Sequence, residues 1–246
     1  MKFRYTFPAE WIDKLSMMPA YHERISSALT LRPEDQNNMN EFEISANEYL
    51  NKSTRAFYHV PYSGMGNPGN PDYLNALKNT YNNLSDNKLG SAVQELRNVL
   101  LTDFSQILQS LNLRGVTVCV VPRAKAEIYY HANQLLFKST VRAVISQLNG
   151  FEDGTNYLRR HTNTRTTHLR KPIPNYDNGG AEPYPGITVE TCDISISVKG
   201  KNILLVDDIY TPAVNIDEDA IQALINAGAC SVAFYAVAKT ERRSGP

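Results

Sequence analysis

Apolar positions along this chain fall into two patterns. Val116-Thr117-Val118-Cys119-Val120-Val121, Ile203-Leu204-Leu205-Val206 and the stretch from Cys230 to Ala238 are short β-rich runs with almost no polar alternation. Strands covered on both faces read this way. Ala56 to Val60 reads as a further strand, and Ile187 to Ile196 alternates like one. Between these runs the apolar residues recur at helical spacing. Val93, Leu96, Leu100, Phe104, Ile107, Leu108 and Leu111 form one stripe from Ser91 to Leu111. A second long helix is predicted from Ala126 to Leu148, with Gly150 as its C-terminal cap. Leu74, Leu77, Tyr81 and Leu84 form a third stripe, after Asn70 as cap and Pro71 as first helical residue. Ala220, Ile221, Leu224 and Ile225 form a fourth, after a capping-box-like start at Asn215-Ile216-Asp217-Glu218. Strand, helix, strand, helix, strand from about residue 112 predicts an α/β fold, a mainly parallel sheet flanked by helices. Near the N-terminus, Trp11, Ile12 and Leu15 share a helical face between Phe7 and Met18, and Arg32 to Asn40 reads as a loop. The expected organisation is a mostly helical extension over residues 1–90 and an α/β domain over 91–246.

Composition narrows the field. Of 246 residues 42% are hydrophobic, enough for a substantial core. The 25 basic and 25 acidic side chains cancel, which argues against a general electrostatic nucleic-acid binder. No apolar run approaches the roughly 20 residues of a membrane helix, and Met1 to Pro8 has no apolar stretch behind its charges. A soluble, cytoplasmic protein is expected. Cys119, Cys192 and Cys230 are few, odd in number and far apart, so no disulfide framework is expected. Cys119 and Cys230 lie in apolar runs and read as buried hydrophobes.

The segment with most chemistry runs from Ile203 to Asn215. A buried strand leads to Asp207-Asp208, a short loop follows, and a helix begins. Ligands of open α/β sheets bind at the carboxyl ends of strands. A helix N-terminus there suits a phosphate, and two carboxylates beside it suit sugar hydroxyls or a hydrated Mg²⁺.

This segment resembles the 5-phosphoribosyl-diphosphate (PRPP) motif of type I phosphoribosyltransferases: apolar residues, Asp-Asp, an aliphatic residue, any residue, Thr, then usually Thr-Gly-any-Thr/Ser. Asp207 and Asp208 match the acids, and Thr211 the first loop hydroxyl. Asn215 stands at the last hydroxyl position. Pro212 departs from the pattern and lacks an N–H donor. Ala213 departs where glycine is usual. The order of elements also resembles the competence-protein ComF branch, over about Gly115 to Thr240. The resemblance implies a type I phosphoribosyltransferase fold. It implies ribose contacts from Asp207 and Asp208, and a 5′-phosphate loop of Thr211, Pro212, Ala213, Val214 and Asn215. It further implies a diphosphate loop of Pro122, Arg123, Ala124 and Lys125. The implied activity is Mg²⁺-dependent transfer of a phosphoribosyl group from PRPP, or binding of a nucleotide monophosphate, in a protein that can dimerise. The alternative is a catalytically degenerate sensor or partner subunit of competence or phage-defence type, with a nucleic-acid or protein partner.

The stretch from Arg159 to Lys171 has no acidic residue. Its readings are a solvated loop, a phosphate contact to nucleic acid, or a mobile hood carrying Arg159, Arg160 and Arg165. Gly64-Met65-Gly66-Asn67-Pro68-Gly69 spells a dinucleotide fingerprint, but Pro68 reduces it to a turn. Asp217, Glu218 and Asp219 are explained by the helix dipole, and Tyr129 and Tyr130 by core contacts. His161 and His168 lack the partners a metal site needs.

Overall fold

The computed structural model describes residues 39–166, 178–180, 182, 186–212 and 214–241. The N-terminal helix over Phe7 to Met18, most of the Arg32 to Asn40 loop, His168 and Ala213 lie outside the described residues.

The strands are β1 (Asn40–Ile44), β2 (Thr54–Tyr62), β3 (Val116–Val120), β4 (Phe151–Asp153), β5 (Leu158–Arg160), β6 (Cys192–Ile194), β7 (Asn202–Tyr210) and β8 (Ser231–Thr240). The helices are α1 (Tyr73–Lys78), α2 (Asp86–Ser110), α3 (Leu136–Ile145) and α4 (Ile216–Asn226). Six strands form one sheet in the order β1-β2-β8-β7-β3-β4. β2, β8, β7, β3 and β4 are parallel, and β1 pairs antiparallel on β2 at the edge. β5 and β6 form a separate antiparallel pair.

Strand alternation sends successive side chains to opposite faces. Val118, Leu204, Val206 and Tyr235 meet Leu96, Leu100 and Phe104 of α2 and Val141 and Val144 of α3. Cys119, Leu205, Phe234 and Ala236 meet Ala220, Ile221 and Leu224 of α4 on the other face. The sheet is thus covered on both sides, which is why β3, β7 and β8 read as unbroken apolar runs. From β3 the chain winds outward to β4, then returns past β3 to β7. Winding therefore reverses between β3 and β7, and at such a switch point the two strand ends diverge and leave a crevice.

Several expectations are corrected. The sheet does not begin at residue 91: β2 pairs with β8 from Ala56↔Phe234 to Tyr62↔Thr240. Within the described residues, 39–90 is therefore an integral part of the α/β fold, and residue 90 falls inside α2. α1 stops at Lys78 rather than continuing to Leu84. Asn79 turns left-handed (φ 37°), and its side-chain oxygen accepts from the N–H groups of Asn83 and Leu84. The helix expected over Ala126–Leu148 is broken into 3₁₀ turns at Glu127–Tyr129 and Ala132–Gln134 before α3. There the Arg123 guanidinium takes the Gln134 carbonyl, and a capping box between His131 and Gln134 starts the chain afresh. The strand expected over Ile187–Ile196 shortens to β6. Cys119 is buried and its thiol is pushed up to about 12 by burial, but Cys230 is exposed and Cys192 is the second buried thiol. Among the described residues no helix is long and apolar enough to cross a membrane.

Candidate functional site

β7 runs through both acids, so alternation points Asp207 and Asp208 to opposite faces of the sheet. Asp208 meets α1, where the Lys78 ammonium lies 3.2 Å from its carboxylate. Asp207 meets the first turn of α4. Its Oδ1 accepts from the Asp208 N–H at 2.7 Å, and its carboxylate accepts a hydrogen bond from the Asp217 carboxyl. Burial, then the charge of Asp208, raises Asp207 to about 7. Asp217 is raised well above the usual carboxylate range, by burial and then by the charge of Asp207, to which it also donates its proton. The two side chains form a carboxyl pair holding a shared proton.

The acidic first turn of α4 is therefore not a solvated dipole partner, as expected, but a buried anchor. Asp217, Glu218 and Asp219 are 4%, 3% and 8% exposed. Glu218 accepts from the Tyr210 hydroxyl at 2.9 Å, and Asp219 accepts from the Ile187 N–H at 2.7 Å. The predicted capping box does not form, because Glu218 is used by Tyr210 and Asn215 turns left-handed (φ 63°) without capping. Asn215 Oδ1 accepts instead from Asn47.

A cleft of about 160 Å³ opens between the carboxyl ends of β3 and β7. Its lining brings Pro122, Arg123, Ala124, Arg160 and Arg165 together with Asp207 and Asp208, and includes Lys78, Lys138, Glu127, Tyr130 and Gln134. Five basic side chains face three acidic ones, so its potential favours an anion. Arg123 stacks over Tyr130 at 4.3 Å from the ring centroid, and its guanidinium donates to the Gln134 carbonyl. Arg160 donates to the carbonyls of Arg123 (2.8 Å) and Gly186 (2.9 Å). A guanidinium has five N–H donors, so both arginines keep donors for a ligand. Lys138 pairs with Glu127, and Arg165 with Glu182 at 2.6 Å.

Other expected residues sit elsewhere. Lys125 reaches the Gly179 carbonyl at 3.1 Å. Arg159 and Arg160 belong to β5 rather than to a mobile hood. Alternation leaves Arg159 on the surface beside Asp193 at 3.5 Å and buries Arg160, which is 4% exposed. The Thr211 hydroxyl bonds Thr240 Oγ1 at 2.8 Å, and Val214 N–H donates to the Thr211 carbonyl. Tyr130 faces Arg123 rather than the core. Lys78 and Lys138 carried no motif, and only their positions at the end of α1 and on α3 bring them into the lining of the cleft, Lys78 against Asp208 and Lys138 against Glu127.

The chain is thus a doubly wound α/β protein with a cationic switch-point cleft over paired acids. In comparison with known proteins, the chain matches no protein-family model and no curated protein.

Proposed function

We propose that this cleft binds a phosphorylated ribose, as PRPP or a nucleotide monophosphate, and transfers the phosphoribosyl group to an acceptor. The observation that carries this reading is the position of Asp207 and Asp208 at the carboxyl end of β7, at the switch point, lining one cleft with Arg123, Arg160, Arg165 and Lys78. Type I phosphoribosyltransferase architecture and its Asp-Asp chemistry accord with that placement. The acids accept hydrogen bonds from the ribose hydroxyls, and the cationic wall holds the diphosphate. In transfer, the bond from C1 of the ribose to the diphosphate oxygen breaks, and the acceptor's lone pair forms the new bond to C1. The electron pair leaves with the diphosphate, where preorganised guanidinium donors stabilise the growing charge.

Mg²⁺ bound to the diphosphate would act as Lewis acid. The acids do not form a ready protein-held metal site: Asp208 is paired with Lys78, Asp207 shares a proton with Asp217, and among the described residues no group of three or more metal-ligating side chains converges. The ion would therefore arrive with its diphosphate.

A second reading, a member of the same fold that senses the ligand without turnover, is favoured by the loop after β7. Pro212 has no N–H, and the Thr211 hydroxyl is engaged by Thr240.

The test is calorimetric titration of PRPP with Mg²⁺ into the protein and into the Asp207→Asn/Asp208→Asn double variant. Each lost charged hydrogen bond is worth ~1.5–3 kcal/mol, so at least a ~10-fold loss of affinity is expected in the variant. Absence of binding of both PRPP and nucleotide to the wild type, or equal binding by the variant, refutes the assignment. Diphosphate release with an acceptor then separates the first reading from the second.

A further inference from the structure

Gln134 belongs to the lining of the cationic cleft, yet it is only 7% exposed and its hydrogen bonds go to the protein. It ends the 3₁₀ turn that precedes α3. Its side-chain Nε2 donates to the Asn79 carbonyl at 3.0 Å and to the Thr80 carbonyl at 3.3 Å. Its Oε1 accepts from the His131 N–H at 3.0 Å, and its backbone carbonyl accepts from the Arg123 guanidinium. One buried amide thus ties the turn after α1 to the 3₁₀ segment and to the loop after β3.

The turn it holds carries a charge of the site. α1 has six residues, too few to keep a helical end in place unaided. Its last residue is Lys78, and the next, Asn79, turns left-handed. The Asn79 carbonyl already accepts from the Asn82 N–H at 2.8 Å within the turn, so Gln134 supplies its second hydrogen bond and the link to the rest of the cleft. The Lys78 ammonium lies 3.2 Å from the Asp208 carboxylate, and both side chains are partly buried. Asp208 and Lys78 line the same cleft as Arg123. An uncompensated Asp208 would repel an anion there, and Lys78 cancels that charge only while the end of α1 stays where it is.

We infer that Gln134 is a positioning residue for an anionic ligand of the cleft. Its side chain clamps the end of α1 and so keeps Lys78 on Asp208, while its carbonyl orients Arg123. The role rests on the phosphoribosyl reading above for the identity of that ligand, a diphosphate ester, and on the basic lining for its charge. An amide that served packing alone would be indifferent to Lys78, whereas a clamp on α1 acts through it.

The experiment uses the full chain and its Gln134→Met, Lys78→Met and Gln134→Met/Lys78→Met variants. Gln134→Met keeps the length of the side chain, removes its donor and acceptor, and leaves the backbone carbonyl to Arg123. Should that variant not fold, Gln134→Asn carries the same test, since its amide is too short to reach the turn after α1. Inorganic diphosphate, and separately PRPP with Mg²⁺, are titrated by calorimetry. The Lys78 ammonium signal, assigned by its absence from Lys78→Met, is followed by NMR in the ligand-free protein. The expected result is diphosphate binding weakened about fivefold or more by Gln134→Met, and at least as much by Lys78→Met. The double variant should bind no more weakly than Lys78→Met alone, because additive losses mark independent sites. The Lys78 signal should move to the position of exposed lysines in Gln134→Met. Additive losses, an unmoved Lys78 signal, or full-strength diphosphate binding by Gln134→Met overturns the positioning role, while intact PRPP binding leaves the phosphoribosyl reading standing. A non-additive loss of diphosphate binding in a protein that takes neither PRPP nor nucleotide supports the role and removes that reading. Absence of diphosphate binding by the wild type overturns the role, since no anion is then positioned.

Discussion

Replacing Asp217 by asparagine tests the carboxyl pair on which the site is built. In the folded protein both Asp207 and Asp217 titrate above the usual carboxylate range, because both are desolvated, Asp207 lies beside the charge of Asp208, and Asp217 lies beside that of Asp207. In the unfolded chain both ionise near pH ~3.9. Above the unfolded values the unfolded state releases protons that the raised native carboxyls still keep. Each such proton lowers stability by ~1.4 kcal/mol per pH unit as pH rises. The sign follows from the raised folded values: the contribution is fully present below the unfolded pKa and is lost as pH climbs toward the folded one. In Asp217→Asn the side-chain amide preserves the donor to Asp207 and removes one of the two titrations, so the variant's slope is shallower by about 1.4 kcal/mol per unit. For each pH unit over which Asp217 keeps its proton, the variant gains ~1.4 kcal/mol relative to wild type. Urea denaturation at three pH values, read as the wild-type/variant difference so that other titrating groups cancel, measures it. A difference that stays flat with pH refutes the shared-proton pair, because Asp217 would then ionise as an ordinary surface acid.

Two further substitutions probe the frame around the cleft. Gly154→Ala would place a Cβ 2.6 Å from Thr117 Cγ2 and 3.1 Å from the Val118 carbonyl, where Gly154 N–H also bonds. A loss of ~1–3 kcal/mol in urea denaturation is expected, and an unchanged midpoint would show that the turn after β4 yields freely. Arg160→Met removes the charged hydrogen bonds to the carbonyls of Arg123 and Gly186. A stability loss of about 3 kcal/mol is expected together with weaker PRPP binding. Loss of binding at unchanged stability would assign Arg160 to the ligand alone.

Local regularities account for what the sequence alone determined. Val116 to Val121 and Ile203 to Val206 are strands because unbroken β-branched and aliphatic runs leave no face for water. The α2 stripe forms because seven apolar residues recur at one angular position. The strand–Asp207–Asp208–loop–helix unit is contiguous, so it could be read directly, and with it the class of sheet. Tertiary structure decided the rest. β2 joins β8 across more than 170 residues of chain, and a five-residue apolar run carries no sign of its eventual neighbour. The Arg-rich stretch looked unpaired because its partners, Asp193 and Glu182, lie beyond it in sequence. The helix expected through Gln134 gave way to a carbonyl taken by Arg123, a competition that periodicity does not register. Asp217 looked like a dipole partner from its place in the first turn of α4. Only β7, which brings Asp207 against that turn in a buried setting, makes it a proton-sharing acid, since a raised pKa is a property of surroundings and not of spacing.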